Sequence, residues 1–312
     1  MRLRDRLGLW HYRLADDWPW RALARSAQRR RRALGPLIER LPPVAVSDDA
    51  RVEVHVLSGD AQADLGVVSS WSLLRFLSGA SLVVHSDGTL SGASQARWRA
   101  RVPGVRFVSE DEARAASQRL LEGLPEVARW HARNWAAQQT VDFSACARAP
   151  RLLSLDTDVL CFQPPRAVLD WLDAGAAPAR WNRDLGTRYS APLDVLKAAT
   201  GLELPERLNC GFMLTPRFGR DDFERLERAL RGMSRAGLDM NQLWSSQTYL
   251  AVMAAHHPGA AALPAAYDVR RGPTRPDEVV RHYVGMPSVR FRLFTEGWPR
   301  VFAQAGLGDA AR

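Results

Sequence analysis

The 312-residue chain is 46% hydrophobic and 25% charged, with three cysteines and a net charge of +9. That length suits one large or two small α/β domains with a substantial core, no apolar run reaches the roughly 18–20 residues of a bilayer span, and Cys146, Cys161 and Cys210 are too scattered for a disulfide framework or a thiolate zinc site. Residues 1–43 hold eleven arginines against four acids, which leaves a nearly neutral body, so no nucleic-acid partner is expected.

Residues 1–6 are charged and lead into no apolar core, so no secretory leader is read there. Residues 1–50 are expected to form a basic extension containing Arg29, Arg30, Arg31, Arg32, Trp10, Trp18 and Trp20. Such an extension either packs on its own domain or lies on an anionic membrane surface. Free, buried thiols suit a reducing compartment, and the chain is expected to be cytoplasmic, with peripheral contact at the inner membrane face through the extension. Leu41-Pro42-Pro43 marks a break, and residues 51–312 are expected to form one domain.

Alternation predicts a first strand over 52–57, followed by Ser58-Gly59. A helix is expected over 66–77, strands over 81–85 and 105–108, and helices over 111–122 and 125–138. An apolar strand then runs into Asp156-Thr157-Asp158, and Pro164-Pro165 turns the chain into a short helix over 166–172. The segment 174–206, rich in Ala, Pro and Gly, is expected to be irregular or a lid. A strand over 209–214 and helices over 219–232 and 241–255 follow, then a loop-rich end over 264–312. Strand and helix alternate, which implies an α/β fold with a mainly parallel twisted sheet and helices on both faces.

Leu152-Leu153-Ser154-Leu155 closes on two carboxylates one residue apart, Asp156 and Asp158. Two charges at the end of a buried strand are costly unless neutralised. A divalent cation, Mn²⁺ or Mg²⁺, does this through hard oxygen ligands. A metal held at a strand end is a common means of handling phosphates. Open parallel sheets bind ligands beyond the carboxyl ends of their strands. Ser58-Gly59-Asp60, Ser86-Asp87-Gly88 and Asn209-Cys210-Gly211 are further polar groups at strand ends.

Leu155-Asp156-Thr157-Asp158-Val159-Leu160 with Pro164 resembles the metal-binding Asp-x-Asp element of bacterial nucleotide-sugar glycosyltransferases of the GT-A fold, near the glycogenin and galactosyltransferase (GT8-like) group. Four more blocks fall in the same order: His85-Ser86-Asp87-Gly88-Thr89-Leu90, Asn209-Cys210-Gly211-Phe212-Met213-Leu214, Ser246-Gln247-Thr248 and Arg281-His282-Tyr283-Val284-Gly285. The resemblance implies a single GT-A-type domain that moves a sugar from a nucleoside-diphosphate donor, UDP-linked, to a glycan, lipid or other acceptor. It implies Asp156, Asp158 and His282 as metal ligands. Leu57, Ser58, Gly59, Asp87 and Thr157 would bind the nucleotide, and Asn209, Gly211 and Gln247 the sugar or acceptor. Two positions depart from the pattern. Gln139 stands where the group often has Lys, and Ser246 replaces the acid of an acid-Gln pair.

Two other functions compete. A phosphatase of the haloacid dehalogenase type also has Asp-x-Asp after an apolar strand, with the first Asp, here Asp156, as nucleophile. Against it, Leu160 stands where Thr is expected, and in the better match at 85–89 His85 replaces the nucleophile. The second rival is a protein of the same fold that binds a nucleotide sugar without turnover, suggested by Gln139 and Ser246.

Overall fold

The computed structural model describes residues 21–48, 50–239 and 244–311. Helix α1 (Arg21–Leu34) precedes β1 (Val52–Ser58). There follow α2 (Ala63–Leu74), β2 (Ala80–Ser86), α3 (Gly92–Arg101), β3 (Arg106–Val108), α4 (Glu110–Leu120), α5 (Pro125–Arg133), α6 (Gln138–Cys146), β4 (Arg151–Leu155) and the short β5 (Val159–Cys161). The second half contains α7 (Arg166–Asp173), β6 (Arg180–Arg183), α8 (Leu193–Thr200), β7 (Leu208–Pro216), α9 (Arg220–Arg235) and α10 (Ser245–Ala255). It ends with β8 (Ala261–Ala262), β9 (Val280–His282), α11 (Pro287–Arg292) and α12 (Trp298–Gln304).

The main sheet has the order β3-β2-β1-β4-β7-β6-β8. β3, β2, β1 and β4 run parallel, while β7 is antiparallel to both β4 and β6. The reversal of β7 has a consequence for chemistry. It sets the first residues of β7 beside the last residues of β4, so the Asp156 N–H donates to Gly211 O at 2.8 Å. A second, two-stranded sheet pairs β5 with β9 and sets Val159 opposite His282.

Period-2 alternation decides which residues enter which core. Val52, Val54 and Val56 of β1 face the larger core, with α2 and the C-terminal helices. Burying each such side chain stabilises the fold by about 1.5–3 kcal/mol. Glu53 and His55 point to the opposite face and are buried too. There, Phe143 of α6 lies against the His55 and His85 rings.

Several expected elements are revised. The helix expected over 125–138 stops at Arg133, because Asn134 is extended (φ −131°, ψ 110°) and its Oδ1 accepts the Ala136 N–H at 3.0 Å. A separate helix, α6, follows; its β-branched and polar residues have modest helix propensity, but Val141 and Phe143 are buried. Helix α3 was not expected; Ser91 caps it by accepting the Ser94 N–H. Segment 174–206 is not simply irregular, since it contains β6 and α8, the latter closed by Gly201 at φ 72°. Residues 241–243 of the expected 241–255 helix lie outside the described residues.

Helix α1 falls within the segment read as an extension. Ala27 and Leu34, with Leu37, Ile38 and Leu41, join the larger core. The helix packs against α11, and Arg31 forms an ion pair with Asp64 at 2.5 Å. Residues 1–20, including Trp10, Trp18 and Trp20, lie outside the described residues, and with them the greater part of the expected membrane contact. Among the described residues, no helix is long and apolar enough to cross a membrane.

Candidate active site

The apolar run Leu153 to Leu155 holds β4 in the sheet, and the chain then turns over Asp156-Thr157-Asp158, closed by Val159 N–H to Asp156 O at 3.1 Å. Ser69 Oγ of α2 donates to that same carbonyl at 3.0 Å. Pairing of β5 with β9 brings in His282, and the Tyr283 N–H donates to Asp158 O at 2.9 Å. As a result Asp156, Asp158 and His282 each present a ligand atom, all within 4.8 Å of one another. His282 Nε2 is 3.0 Å from Asp158 Oδ1 and 3.6 Å from Asp156 Oδ2.

Other side chains orient these groups. Asn209 Oδ1 is 2.8 Å from His282 Nδ1 and accepts the Gly211 N–H at 3.0 Å. Because that oxygen only accepts, Nδ1 carries a proton in either charge state; without metal Nε2–H donates to Asp158 Oδ1, and loss of that second proton leaves the Nε2 lone pair facing the carboxylates. Gln139 Nε2 donates to Asp156 Oδ1 at 2.7 Å. The Arg290 guanidinium is 2.6 Å from Asp158 Oδ2. Gly211 leaves necessary space, since a Cβ there would lie 2.5 Å from His282 Nδ1 and 2.8 Å from Asp156 Oδ2. Two carboxylates and one imidazole whose Nε2 becomes a donor once deprotonated, cradled by a glycine, form a donor set that fits Mn²⁺ or Mg²⁺.

The two aspartates titrate in opposite directions. Burial pushes the Asp158 carboxyl up, but Arg290 and then His282 outweigh this and hold it below the usual range. Burial raises Asp156, and the like charge of Asp158 adds to that against the pull of His282 and the Gln139 amide. Burial alone would lower His282; the charge of Asp158 and its hydrogen bond reverse this and raise the imidazole above its ordinary value.

Beside this group lies a second one built on Asp184, a buried residue immediately after β6. Its Oδ2 accepts from Asn209 Nδ2 at 3.2 Å and Gln247 Nε2 at 3.3 Å, and its Oδ1 from Leu185 N–H at 2.6 Å. Gln247 also donates to Leu208 O at 3.0 Å and Arg188 O at 3.3 Å. Asn209 therefore joins the two groups, donating to Asp184 and accepting from His282.

Of the residues expected at the nucleotide, Leu57, Ser58, Gly59 and Asp87 sit at the ends of β1 and β2, and Thr157 lies beyond β4. Asp87 N–H donates to Ser58 O at 3.2 Å, and the exposed Asp87 carboxylate accepts from Thr89 N at 2.9 Å. A Cβ on Gly59 would collide with that carboxylate, so glycine permits the close approach of the two strand ends. Leu57 is half-buried against Phe143, Ala147 and Leu152. Thr157 Oγ1 donates to Gln62 Oε1 at 3.1 Å, which ties the Asp-Thr-Asp turn to the segment after β1. His85 is buried within the sheet face, 2.9 Å from His55.

Solved structures share this framework. The apo form of mouse xyloside xylosyltransferase 1 matches with a TM-score of 0.52 at 13% identity, over 79% of this chain and 99% of that one. The apo structure of the WbbM bifunctional glycosyltransferase matches with a TM-score of 0.52 at 15% identity, over 83% of this chain and 50% of its own. The chain has the GT-A-type glycosyltransferase fold. No protein-family profile matches it, and no curated protein does.

Within the GT-A-type fold, the sequence reading missed Asp184 and Arg290. Asp184 had a usable signal, because Ala179-Arg180-Trp181-Asn182-Arg183 ends on an acid followed by Leu185-Gly186. That is the strand-end pattern already noted at Asp87. Arg290 carried no signal in a chain whose only lysine is Lys197 and whose surface is rich in arginine.

Proposed function

We propose that the chain is a metal-dependent glycosyltransferase that moves a sugar from a nucleoside-diphosphate donor, UDP-linked, to an acceptor. The observation that carries this reading is the convergence of Asp156, Asp158 and His282 Nε2 at the end of β4, within 4.8 Å, next to the Asp184–Asn209–Gln247 network. The three would hold Mn²⁺ or Mg²⁺, which when bound supplies charge stabilisation for a diphosphate leaving group.

The chain's own residues supply the rest. The crossing of Gly59 and Asp87 leaves the nucleoside a flat backbone edge and a carboxylate for ribose hydroxyls. Asp184 uses three acceptor sites internally out of roughly four on a carboxylate, which leaves capacity for a sugar hydroxyl. Asn209 and Gln247 fix that carboxylate from behind, so a hydroxyl meets a group already oriented. Arg290, on the accessible side of Asp158, offers a second positive charge to the diphosphate.

The test is a thermal-shift panel of nucleoside diphosphates with and without Mn²⁺, on the natural chain and on Asp158→Ala. A shift that needs both metal and nucleotide, and is absent in Asp158→Ala, supports the reading. No metal-dependent shift with any nucleotide overturns it.

A further inference from the structure

We infer that the acceptor is anionic, a sugar bearing a phosphate or carboxylate group, and that an arginine-lined cleft beside Asp184 binds that anion. The inference rests on the glycosyltransferase reading above. The cleft has a volume of about 640 Å³, and Arg188, Arg207, Arg270, Arg271 and Arg275 line it, with Asp268 as its one acid.

The local charges do not cancel. Asp268 is already paired, with Arg183 outside the cleft at 3.0 Å. Arg270 pairs with Glu278, and Arg275 pairs with the exposed Asp277 at 3.2 Å. Among the described residues no carboxylate pairs with Arg188, Arg207 or Arg271. Arg188 instead stacks over the Trp244 ring, and Arg207 spends its Nε on the Asp184 carbonyl at 2.6 Å. Several guanidinium groups around one cavity repel one another unless an anion joins them, and forked donors match phosphate and carboxylate oxygens.

The arrangement is also rigid. Arg281, fully buried, donates to Gly272 O at 2.6 Å, to Pro273 O at 2.9 Å and to Glu278 at 3.0 Å. Glu278 Oε2 in turn accepts the Arg275 N–H at 2.9 Å. A buried ion pair contributes little net stability, but it fixes geometry. Here it holds the loop that presents Arg270, Arg271 and Arg275. Arg207 is the one described non-glycine residue with positive φ, 57°, a conformation that costs free energy and persists where neighbours enforce it.

Three links tie the cleft to the proposed donor site. Leu185 in its wall follows Asp184, the Arg188 carbonyl accepts from Gln247, and Arg281, which staples the loop, precedes His282. An acceptor anchored here by its anion would present its hydroxyls toward the sugar held at Asp184.

The experiment uses the full chain saturated with UDP and Mn²⁺, titrated calorimetrically with galactose, galactose 6-phosphate and galacturonate. The phosphate or the carboxylate sugar should bind at least about tenfold more tightly than galactose, as one or two charged hydrogen bonds imply, and more weakly as salt is raised. Which anion binds better identifies the group. Arg188→Gln with Arg271→Gln should lower that affinity about tenfold or more and leave UDP affinity unchanged, while Arg271→Lys should fall between. Equal binding of neutral and anionic sugars, or undiminished anion binding in the double variant, overturns the proposal. Failure of UDP to bind overturns the donor reading, and the acceptor assignment with it. The anions titrated alone then still decide whether the cleft is an anion site.

Discussion

The Arg290 guanidinium lies 2.6 Å from Asp158 Oδ2, on a carboxylate whose other oxygen faces His282 Nε2 at 3.0 Å. Asp158 is nearly buried, whereas the Arg290 side chain is 37% exposed. An internal cation therefore already occupies part of the field that a divalent ion would use. Arg290→Gln should tighten Mn²⁺ binding to the nucleotide-free protein severalfold, about 1 kcal/mol for a partly exposed pair. The same variant should bind UDP less tightly once Mn²⁺ is present. Titration of Mn²⁺ followed by electron paramagnetic resonance reads the first effect and calorimetry the second. Weaker Mn²⁺ binding in the variant would mean that the guanidinium supports the ligand geometry instead.

Gly211→Ala places a methyl group against His282 and Asp156 from β7, at the point where the pairing with β6 shifts register. The chain should still fold, with a loss of about 1–3 kcal/mol from overpacking, and the Mn²⁺-dependent thermal shift should vanish. Circular dichroism with the metal titration separates the two outcomes.

Metal affinity should rise with pH. Asp158 holds the His282 pKa above its ordinary 6.5 despite burial. In the metal-free protein this charged pair stabilises the fold fully below pH 6.5, and the contribution is lost as pH rises through the folded pKa. A bound metal needs the neutral imidazole, so binding releases a proton. Calorimetry in buffers of different ionisation enthalpy should detect that proton near pH 7, and His282→Asn should abolish it.

Stability should fall on acidification because of the buried chain Glu53–His55–His85. His55 lies 2.9 Å from His85 and 3.4 Å from Glu53. Burial keeps both imidazoles below 6.5, so they fold neutral, and the unfolded chain takes up more protons below that pH. Burial would raise Glu53, but hydrogen bonds from His55, the Arg148 N–H and Arg106 bring it down from 4.5 to about 2. Its contribution is present above pH 4.5 and is lost toward pH 2. Urea midpoints should therefore drop between pH 7.5 and 5.5 and again below 4.5. His85→Gln should flatten the first step. His282 acts in the opposite sense but is common to both proteins, so their difference isolates His85.

Asp184→Asn should separate sugar from nucleotide. UDP binding should stay within about twofold, and transfer should fall by a factor of about 10² or more, as the loss of a positioning carboxylate implies. Calorimetry with UDP and a donor-hydrolysis assay make the comparison. An equal loss in both would place Asp184 at the nucleotide.

How legible the site was depended on where each residue's neighbours came from. Asp156 and Asp158 were readable because their own strand makes them anomalous, two charges closing an apolar run. Nothing around His282 indicates a metal; the resemblance supplied it, and the β5–β9 pairing places it. Asp184 sits in a segment whose Ala, Pro and Gly content hides a four-residue strand. Helix α6 was missed because tertiary burial of Val141 and Phe143 overrides weak local propensity. The reversed strand β7 could not be seen in the alternation, because the pattern does not encode direction.

Helix α1 and the turn after it change what can be removed from this protein. Leu34, Leu37, Ile38 and Leu41 are all at most 6% exposed, and α1 braces α11, the element that holds Arg290. Truncation at Pro43 would take a wall off the main core and the support from behind the counter-ion of Asp158. A dissection of the basic arm has to cut before Arg21, and any deletion reaching beyond it reports on folding rather than on what the arm touches.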